Sequence, residues 1–385
     1  MKIITLYNPI LDRGGISVSY INIVNALSKN YPEVRFHLLL NQQKVPDIKL
    51  RKNIEIINIG KFSGIPLISI LNWGKYLSSI KSIIGIFIYL LRFKPEYFVS
   101  FQGHFIVVIC KYLSRNKTFI IARENTVIDK NIQFFSKNLF PIKIAIKKFT
   151  YKNVHKIVTL TEEATVYSAN LLNLPEKKFT AIQNINHIKS FTSKKSNEIS
   201  NKSLNPEIIC LSRISREKGI NTIIKSFALI DKNINAKLIL VGSGSYETEA
   251  KNLAASLGVY ENCNFMGWID DPKIISKLIS QSLIFVSASL FEGFGNSIIE
   301  AMGCNTLVVA LDVPFGPKEI LENGKNGFLI QNNQNVHQEL AKTFESVLNN
   351  PSIIEKYTKP AFKSLNRFEP NIIAKKWGEI LNIKN

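Results

Sequence analysis

The chain has 385 residues, 45% of them apolar and 20% charged. That length suits two domains better than one core, and the composition excludes collagen-like, mucin-like and disordered chains. The formal charge is +20 and uneven: residues 1–190 carry 27 basic and 10 acidic groups, residues 191–385 carry 22 and 19. The first half therefore suits an anionic partner, whether lipid headgroups, nucleic acid or a phosphorylated substrate. The four cysteines, Cys110, Cys210, Cys263 and Cys304, stand far apart without a CxxC pair. They read as buried thiols in a reducing compartment, not as disulfides or zinc ligands. Met1–Tyr7 is broken at once by Asn8-Pro9 and does not read as a signal peptide. The best membrane candidate, Ile83–Leu91, is nine residues long against the roughly 20 that span a bilayer, so no transmembrane helix is expected.

In chain order, short apolar runs at Ile3–Leu6, Phe36–Leu40, Ile54–Ile57, Tyr97–Ser100, Phe119–Ala122 and Ile157–Leu160 predict strands, with helical patterns between several of them. This alternation predicts βα units and a parallel sheet. From His187 to Pro206 the chain is rich in Ser, Asn and Lys without an apolar period, which predicts a linker. Alternation then resumes: strands at Ile208–Leu211, Leu238–Val241, Asn264–Met266, Leu283–Ser287 and Leu307–Ala310, with helices from Gly219, from about Tyr246 and from about Ser297. The tail Asn371–Ile383 places Ile372, Ile373, Trp377, Ile380 and Leu381 on one helical stripe. The expected organisation is an N-terminal Rossmann-like acceptor-binding domain over 1–188, a linker over 189–205, a C-terminal Rossmann-like nucleotide-binding domain over 206–368, and a C-terminal helix, 369–385, returning toward the first domain. In such α/β folds ligands meet the loops at the carboxyl ends of the strands.

The first such loop holds Gly14-Gly15 between a strand and a helix pattern starting near Ser17. Paired glycines there admit an anion to backbone N–H groups, or serve a tight turn. Arg213, Arg216 and Lys218 crowd a helix N-terminus, where cations are unfavourable unless a phosphate reverses the sign; the alternative is a solvated charge run. Gly242-Ser-Gly244 lacks the third glycine of a dinucleotide fingerprint and reads as a turn. In Phe291-Glu292-Gly293-Phe294-Gly295-Asn296-Ser297-Ile-Ile-Glu300, two carboxylates flank a glycine loop that opens a helix. They suit vicinal sugar hydroxyls, although Ser297 and Glu300 also have the spacing of a capping box. Lys143, Lys147, Lys148, Lys152 and Lys156 recur among apolar residues. With Lys75, Lys81 and Arg92 they predict a basic amphipathic surface for an anionic membrane, or an ordinary surface helix.

Glu292…Glu300 with its Gly-Phe-Gly interior resembles the Glu-x7-Glu signature of retaining glycosyltransferases with two Rossmann-like domains facing each other across a cleft (GT-B, glycosyltransferase family 4), the family of bacterial lipopolysaccharide, capsule and mannoside transferases. Supporting motifs run along nearly the whole chain: Gly14-Gly15, Ser212-Arg213…Lys218-Gly219, Val241-Gly242-Ser-Gly, Met266-Gly-Trp268, and Asp312–Ile320 followed by Asn323–Phe328. The resemblance implies that Arg213 and Lys218 hold the donor diphosphate and Glu300 the ribose. Glu292, with the Phe294–Ser297 backbone, would hold the transferred sugar, and Gly14 and Gly15 would close on the diphosphate. In the loop after strand five, where many members set a histidine or aspartate against the reacting sugar, Glu124 is the nearest equivalent; His104, after strand four, is a second cleft candidate or a structural histidine. The resemblance further implies transfer with retention and without a metal or other cofactor, a nucleotide-sugar donor, UDP-linked by the similarity of Asp312–Ile320 to members that use UDP-sugars, and a glycan or polyprenyl-diphosphate-linked acceptor. The expected location is the inner face of the cytoplasmic membrane. A sugar-nucleotide epimerase shares this architecture but needs more acid/base groups in its cleft than five histidines promise. A basic nucleic-acid binder leaves the Glu292–Glu300 loop unexplained.

Overall fold

The computed structural model describes residues 2–12, 14–41, 51–60, 74–186 and 206–383. The chain forms two compact units, Met1–Ile185 with Pro370–Asn385, and Asn186–Glu369. The expected linker, 189–205, lies outside the described residues, as does the side chain of Lys75.

In the first unit β1 (Ile3–Tyr7), α1 (Gly15–Asn30), β2 (Arg35–Leu40), β3 (Ile54–Asn58), α2 (Gly74–Phe93), β4 (Tyr97–Ser100), α3 (His104–Ser114), β5 (Phe119–Arg123), α4 (Ile128–Ser136), α5 (Phe140–Lys152), β6 (Lys156–Thr159), α6 (Glu162–Leu172) and β7 (Phe179–Ala181) follow one another. The strands make one parallel sheet in the order β3-β2-β1-β4-β5-β6-β7. Central parallel strands are covered on both faces, which is why they read as unbroken apolar runs. Alternation along β1 sends Ile4 and Leu6 to one face, with Tyr20, Ile23 and Leu27 of α1, and Tyr7 to the other, with Ile86 and Tyr89 of α2. Thr5 shares that second face and meets the Tyr89 hydroxyl at 2.6 Å.

The second unit runs β8 (Glu207–Leu211), α7 (Ile220–Phe227), β9 (Lys237–Val241), α8 (Glu247–Ser256), β10 (Cys263–Gly267), α9 (Pro272–Gln281), β11 (Ile284–Ser287), α10 (Asn296–Gly303), β12 (Leu307–Asp312), α11 (Gly316–Ile320), β13 (Phe328–Gln331), α12 (Val336–Asn349) and α13 (Ser352–Ser364). Its sheet is also parallel, in the order β10-β9-β8-β11-β12-β13. The last helix, α14 (Pro370–Ile380), packs on α1 in the first unit. Ile373, Trp377 and Leu381 of the expected stripe are buried there, whereas Ile372 is exposed. Gly378 lets the helix close on Tyr31, whose hydroxyl would lie 2.0 Å from an added Cβ. All four cysteines are buried free thiols, pushed up by burial to about 11 for Cys210 and about 12 for the other three.

The apolar runs missed β7 and β13, both at sheet edges and each four residues or fewer. The run of lysines from 143 to 156 is not one helix: α5 ends at Lys152 and Lys156 opens β6.

Backbone approach fixes several loops. Gly219 has φ +65° and caps α7; a Cβ there would lie 1.8 Å from the Ala288 carbonyl oxygen, whereas at Gly258, with φ +70°, it would meet nothing within 4 Å. Gly258→Ala should therefore cost about 1 kcal/mol, the left-handed strain alone. Gly219→Ala should cost about 3 kcal/mol or more, because the neighbouring loop must also move. Denaturant unfolding of the two variants checks the difference.

Candidate functional site

In the second sheet the strand order reverses between β8 and β11, and such a switch point opens a crevice at the carboxyl ends of the two strands. The loops that follow them, Ser212–Gly219 and Ala288–Gly295, are locked together. Gly219 sits on the Ala288 carbonyl, and the Leu290 N–H donates to the Glu217 carbonyl at 2.8 Å. Glu217 is buried and accepts the Ser215 hydroxyl at 2.7 Å. This frame brings two expected residues into contact: Lys218 Nζ donates to Glu292 Oε2 at 2.6 Å, and Ser289 Oγ donates to the same oxygen at 3.1 Å. Arg213 stands exposed on the β8 loop, and its guanidinium makes no hydrogen bond or ion pair among the described residues.

The β11 loop is held from its other side by the segment after β12: the Glu292 N–H donates to the Pro314 carbonyl at 2.8 Å and the Phe315 N–H to the Glu292 carbonyl at 2.7 Å. Phe294 is buried and meets Phe368 edge-on, with ring centroids 5.5 Å apart. The N–H groups of Gly293 and Gly295 have no protein partner among the described residues, and Asn296 and Ser297 form the half-buried first turn of α10. The capping-box reading of Glu300 is corrected here. Gly295, with φ +111°, is the N-cap residue, Ser297 lies inside the helix, and no side chain caps it. Glu300 is half-buried, and its carboxylate has no hydrogen-bond partner or counter-ion among the described residues. Burial pushes it up to about 7.

Gly242 has φ +136°, and a Cβ there would lie 1.9 Å from the Ser212 carbonyl oxygen, so it supports the β8 loop by close packing. Trp268 is exposed beyond β10, two strands from β8, and its Nε1–H donates to Asp270 Oδ1 at 2.9 Å.

In the first unit the order reverses between β1 and β4. Helix α1 begins at Gly15, two residues before the expected start. Asp12 Oδ1 accepts the Gly14 N–H at 2.9 Å and the Ser17 hydroxyl at 2.7 Å, so the chain's own carboxylate already occupies the first donor of the glycine loop. His104 opens α3 beyond β4, with Nδ1 2.7 Å from the Ser100 hydroxyl. It is brought together with Glu124. Burial and the Lys147 ammonium push His104 down to about 3, against the opposing pull of Glu124.

Glu124, expected against the reacting sugar, is engaged by the chain's own groups. The group is buried; Oε1 takes the Thr126 N–H at 3.2 Å and hydroxyl at 2.9 Å, and Oε2 takes Lys147 and the Tyr151 hydroxyl. A carboxylate has about four lone-pair sites, and all four are used. Burial alone would raise Glu124, but Lys147 and its other partners hold it at about 2. Lys147 thus points inward, not toward a solvated face. It and Tyr151 were missed as partners, although their spacing of four residues on a helix puts them side by side. Beside Glu124, Arg123 is fully buried without a carboxylate. Its guanidinium lies 5.4 Å from the Phe101 ring and 5.5 Å from Trp377, it bonds Asn125 and Asn184, and Nη1 has no partner among the described residues. Burial lowers it to about 9. Among the described residues no three His, Cys, Asp or Glu converge as a metal site requires, and no helix is long and apolar enough to cross a membrane.

Two parallel-sheet Rossmann-like units, with charged loops at their switch points, are the GT-B architecture. Residues 192–364 match the family model described as glycosyl transferases group 1. An uncharacterized glycosyltransferase of Methanocaldococcus jannaschii is 27% identical over 246 residues, covering 60% of this chain and 59% of the relative. The poly(ribitol-phosphate) alpha-N-acetylglucosaminyltransferase of Staphylococcus aureus is 30% identical over 173 residues, covering 45% of this chain and 34% of the relative. These alignments span less than two thirds of either relative's length. Among solved structures, Anabaena HepE with UDP and glucose superposes with a TM-score of 0.76 at 18% identity, covering 99% of this chain and all of that one.

Removing Lys147 would leave Glu124 charged and buried without its counter-ion. Lys147→Met should therefore cost about 2 kcal/mol or more, below the roughly 3–5 of a fully buried pair because the lysine side chain remains 27% exposed. Glu124→Gln in the same chain should restore part of the loss, and a double-mutant cycle of unfolding free energies measures it.

Proposed function

We propose that this chain is a metal-independent, retaining glycosyltransferase that moves a hexose or N-acetylhexosamine from a UDP-linked donor to a glycan or polyprenyl-diphosphate-linked acceptor in surface-polysaccharide synthesis. An acceptor of the second kind would bring the chain to the inner face of the cytoplasmic membrane. The observation that carries the reading is the β8–β11 switch point, where Arg213 and Lys218 offer cations, Glu292 meets Lys218, and Glu300 keeps a carboxylate without a partner. The printed activity of the Staphylococcus aureus relative, and the UDP in the Anabaena structure of the same fold, support the donor and acceptor classes.

In this reading the bond from the sugar's C1 to the β-phosphate oxygen breaks, and the acceptor oxygen bonds C1 from the same face. The acceptor's proton passes to the departing phosphate oxygen. Arg213 stabilises the leaving diphosphate as a fork donor, and Lys218 does so through the ammonium protons not directed at Glu292. Gly293 and Gly295 present N–H groups to the sugar beside Glu292, and Glu300 accepts two ribose hydroxyls once ionised.

Arg213→Ala and Lys218→Ala should each lower kcat by about a hundredfold or more, from the 2–4 kcal/mol that such a contact supplies to developing charge. Neither should change the fold. Radiolabelled transfer to a lipid-linked or glycan acceptor reads the rate, wild-type turnover in either variant removes the assignment, and an epimerised sugar in place of released UDP favours the rival enzyme class.

Glu300 supplies a pH test. Its raised value means that between about 4.5 and 7 the folded chain holds a proton that the unfolded chain has released, so this group's contribution to stability falls as pH rises across that window. Glu300→Gln should flatten that slope. UDP affinity of the wild type should also rise between about pH 6 and pH 8 relative to that of Glu300→Gln, because only the ionised carboxylate accepts both hydroxyls. Calorimetric titration of both proteins checks this; parallel pH profiles would remove the ribose role.

A further inference from the structure

Helix α5 is apolar on two sides. Phe140, Ile144 and Tyr151 face the core of the first unit, with Phe140 and Ile144 packed against buried residues and Tyr151 fully buried. At 3.6 residues per turn, Leu139, Ile142, Ile146 and Phe149 form a second stripe, offset from the first by well over a quarter turn. All four are large and exposed, by 40–60%. The end of α4, which packs on α5, adds Phe134 and Phe135, also exposed, with ring centroids 5.0 Å apart. An amphipathic surface helix needs only one apolar stripe, and contiguous exposed apolar patches of this kind mark interaction sites.

Charge selects the occupant. From Lys130 to Lys156 the chain has seven lysines and no aspartate or glutamate. Lys147 and Lys156 are withdrawn, one to Glu124 and one into β6, but Lys130, Lys137, Lys148 and Lys152 are exposed. An apolar stripe bordered by cations, with no acid near it in sequence, is the chemistry of a helix lying in the headgroup region of an anionic bilayer.

We propose that the α4–α5 corner of the first unit docks on an anionic lipid bilayer, with Ile142, Ile146 and Phe149 inserted among the headgroups and Lys137, Lys148 and Lys152 on the lipid charges. This rests on the membrane placement proposed above but not on transfer. It is read without donor or acceptor, so a failure of docking and a failure of catalysis are separate results.

The test is co-sedimentation of the full chain with vesicles of phosphatidylcholine alone and of phosphatidylcholine with phosphatidylglycerol. The wild type should bind the anionic vesicles and leave them largely as salt rises, since exposed charges are screened over about 10 Å at 0.1 M. Ile142→Ser/Ile146→Ser/Phe149→Ser should lower the partition coefficient by about tenfold or more at an unchanged melting temperature, because exposed side chains leave no cavity. Lys148→Gln/Lys152→Gln should weaken binding to the anionic vesicles only. Equal sedimentation of the wild type with both kinds of vesicle, or a triple variant that sediments as the wild type does, overturns the proposal. So does a dimer that the triple variant converts to monomer in the absence of vesicle binding, which would make a second copy of the chain the occupant.

Discussion

The second unit's site depends on an approach of two backbones: Gly219, in a left-handed conformation at the start of α7, against the carbonyl of Ala288. That approach aligns the β8 and β11 loops, and the bond from Leu290 to Glu217 fixes their register. The Lys218–Glu292 pair is a consequence of this frame and not its cause. With side chains 26% and 20% exposed, such a pair contributes on the order of 1 kcal/mol or less, whereas an added Cβ at 1.8 Å from a carbonyl oxygen has no accommodation without moving a loop. Gly242, Gly244 and Gly316 repeat the device: a Cβ at each would fall within 2.2 Å of the carbonyl oxygens of Ser212, Ile214 and Phe294 respectively. Gly242 and Gly244, read from sequence as a turn, thus serve with Gly219 and Gly316 to let neighbouring loops interlock. The charged side chains are then held in place by backbone that cannot slide.

In the first unit, strand alternation decides the fate of two adjacent charges. Arg123 and Glu124 follow each other at the end of β5 and leave on opposite faces of the sheet. Arg123 goes to the side of Phe101 and Trp377, Glu124 to the side of Tyr151. They cannot pair, so each must find a partner in its own layer. Glu124 finds an ammonium and three hydrogen-bond donors. Arg123 finds two aromatic faces and two amide oxygens, and accepts a lowered affinity for its proton. The C-terminal helix is thereby tied to the β5 loop through Trp377, a contact between residues 254 positions apart in the chain.

This layering explains which parts were legible in sequence. The strands were, wherever an apolar run had to fill a sheet covered on both faces; Tyr97–Ser100 was placed to the residue. Strands β7 and β13 were not: at three and four residues they leave too short a run to read, whereas β3, also at a sheet edge, was found. Gly14-Gly15, Arg213, Lys218 and the Glu292–Glu300 segment were placed correctly at strand ends by topology alone. The roles of Glu124 and Lys147 were not legible, since a count of charges does not say which cation turns inward. Only the distance from β5 to the inner face of α5, a tertiary quantity, separates Lys147 from Lys148.

The same geometry resolves an ambiguity in the Ile142–Phe149 segment. Ile142, Ile144 and Ile146 alternate as a strand would, and with lysines interspersed the run reads as one diffuse amphipathic face. On a helix, steps of two residues are 200° apart, so Ile144 turns to the core while Ile142 and Ile146 turn away together. The alternation that looks like a strand is what a helix with two apolar sides looks like in one dimension. Lys147 sits on the inner side because Glu124 waits there, and Lys148, one residue on, is rotated by 100° into solvent. The basic excess of the first half therefore divides by helix position: one part neutralises a buried carboxylate and fixes the β5 loop, and another borders an apolar stripe that the fold itself leaves uncovered.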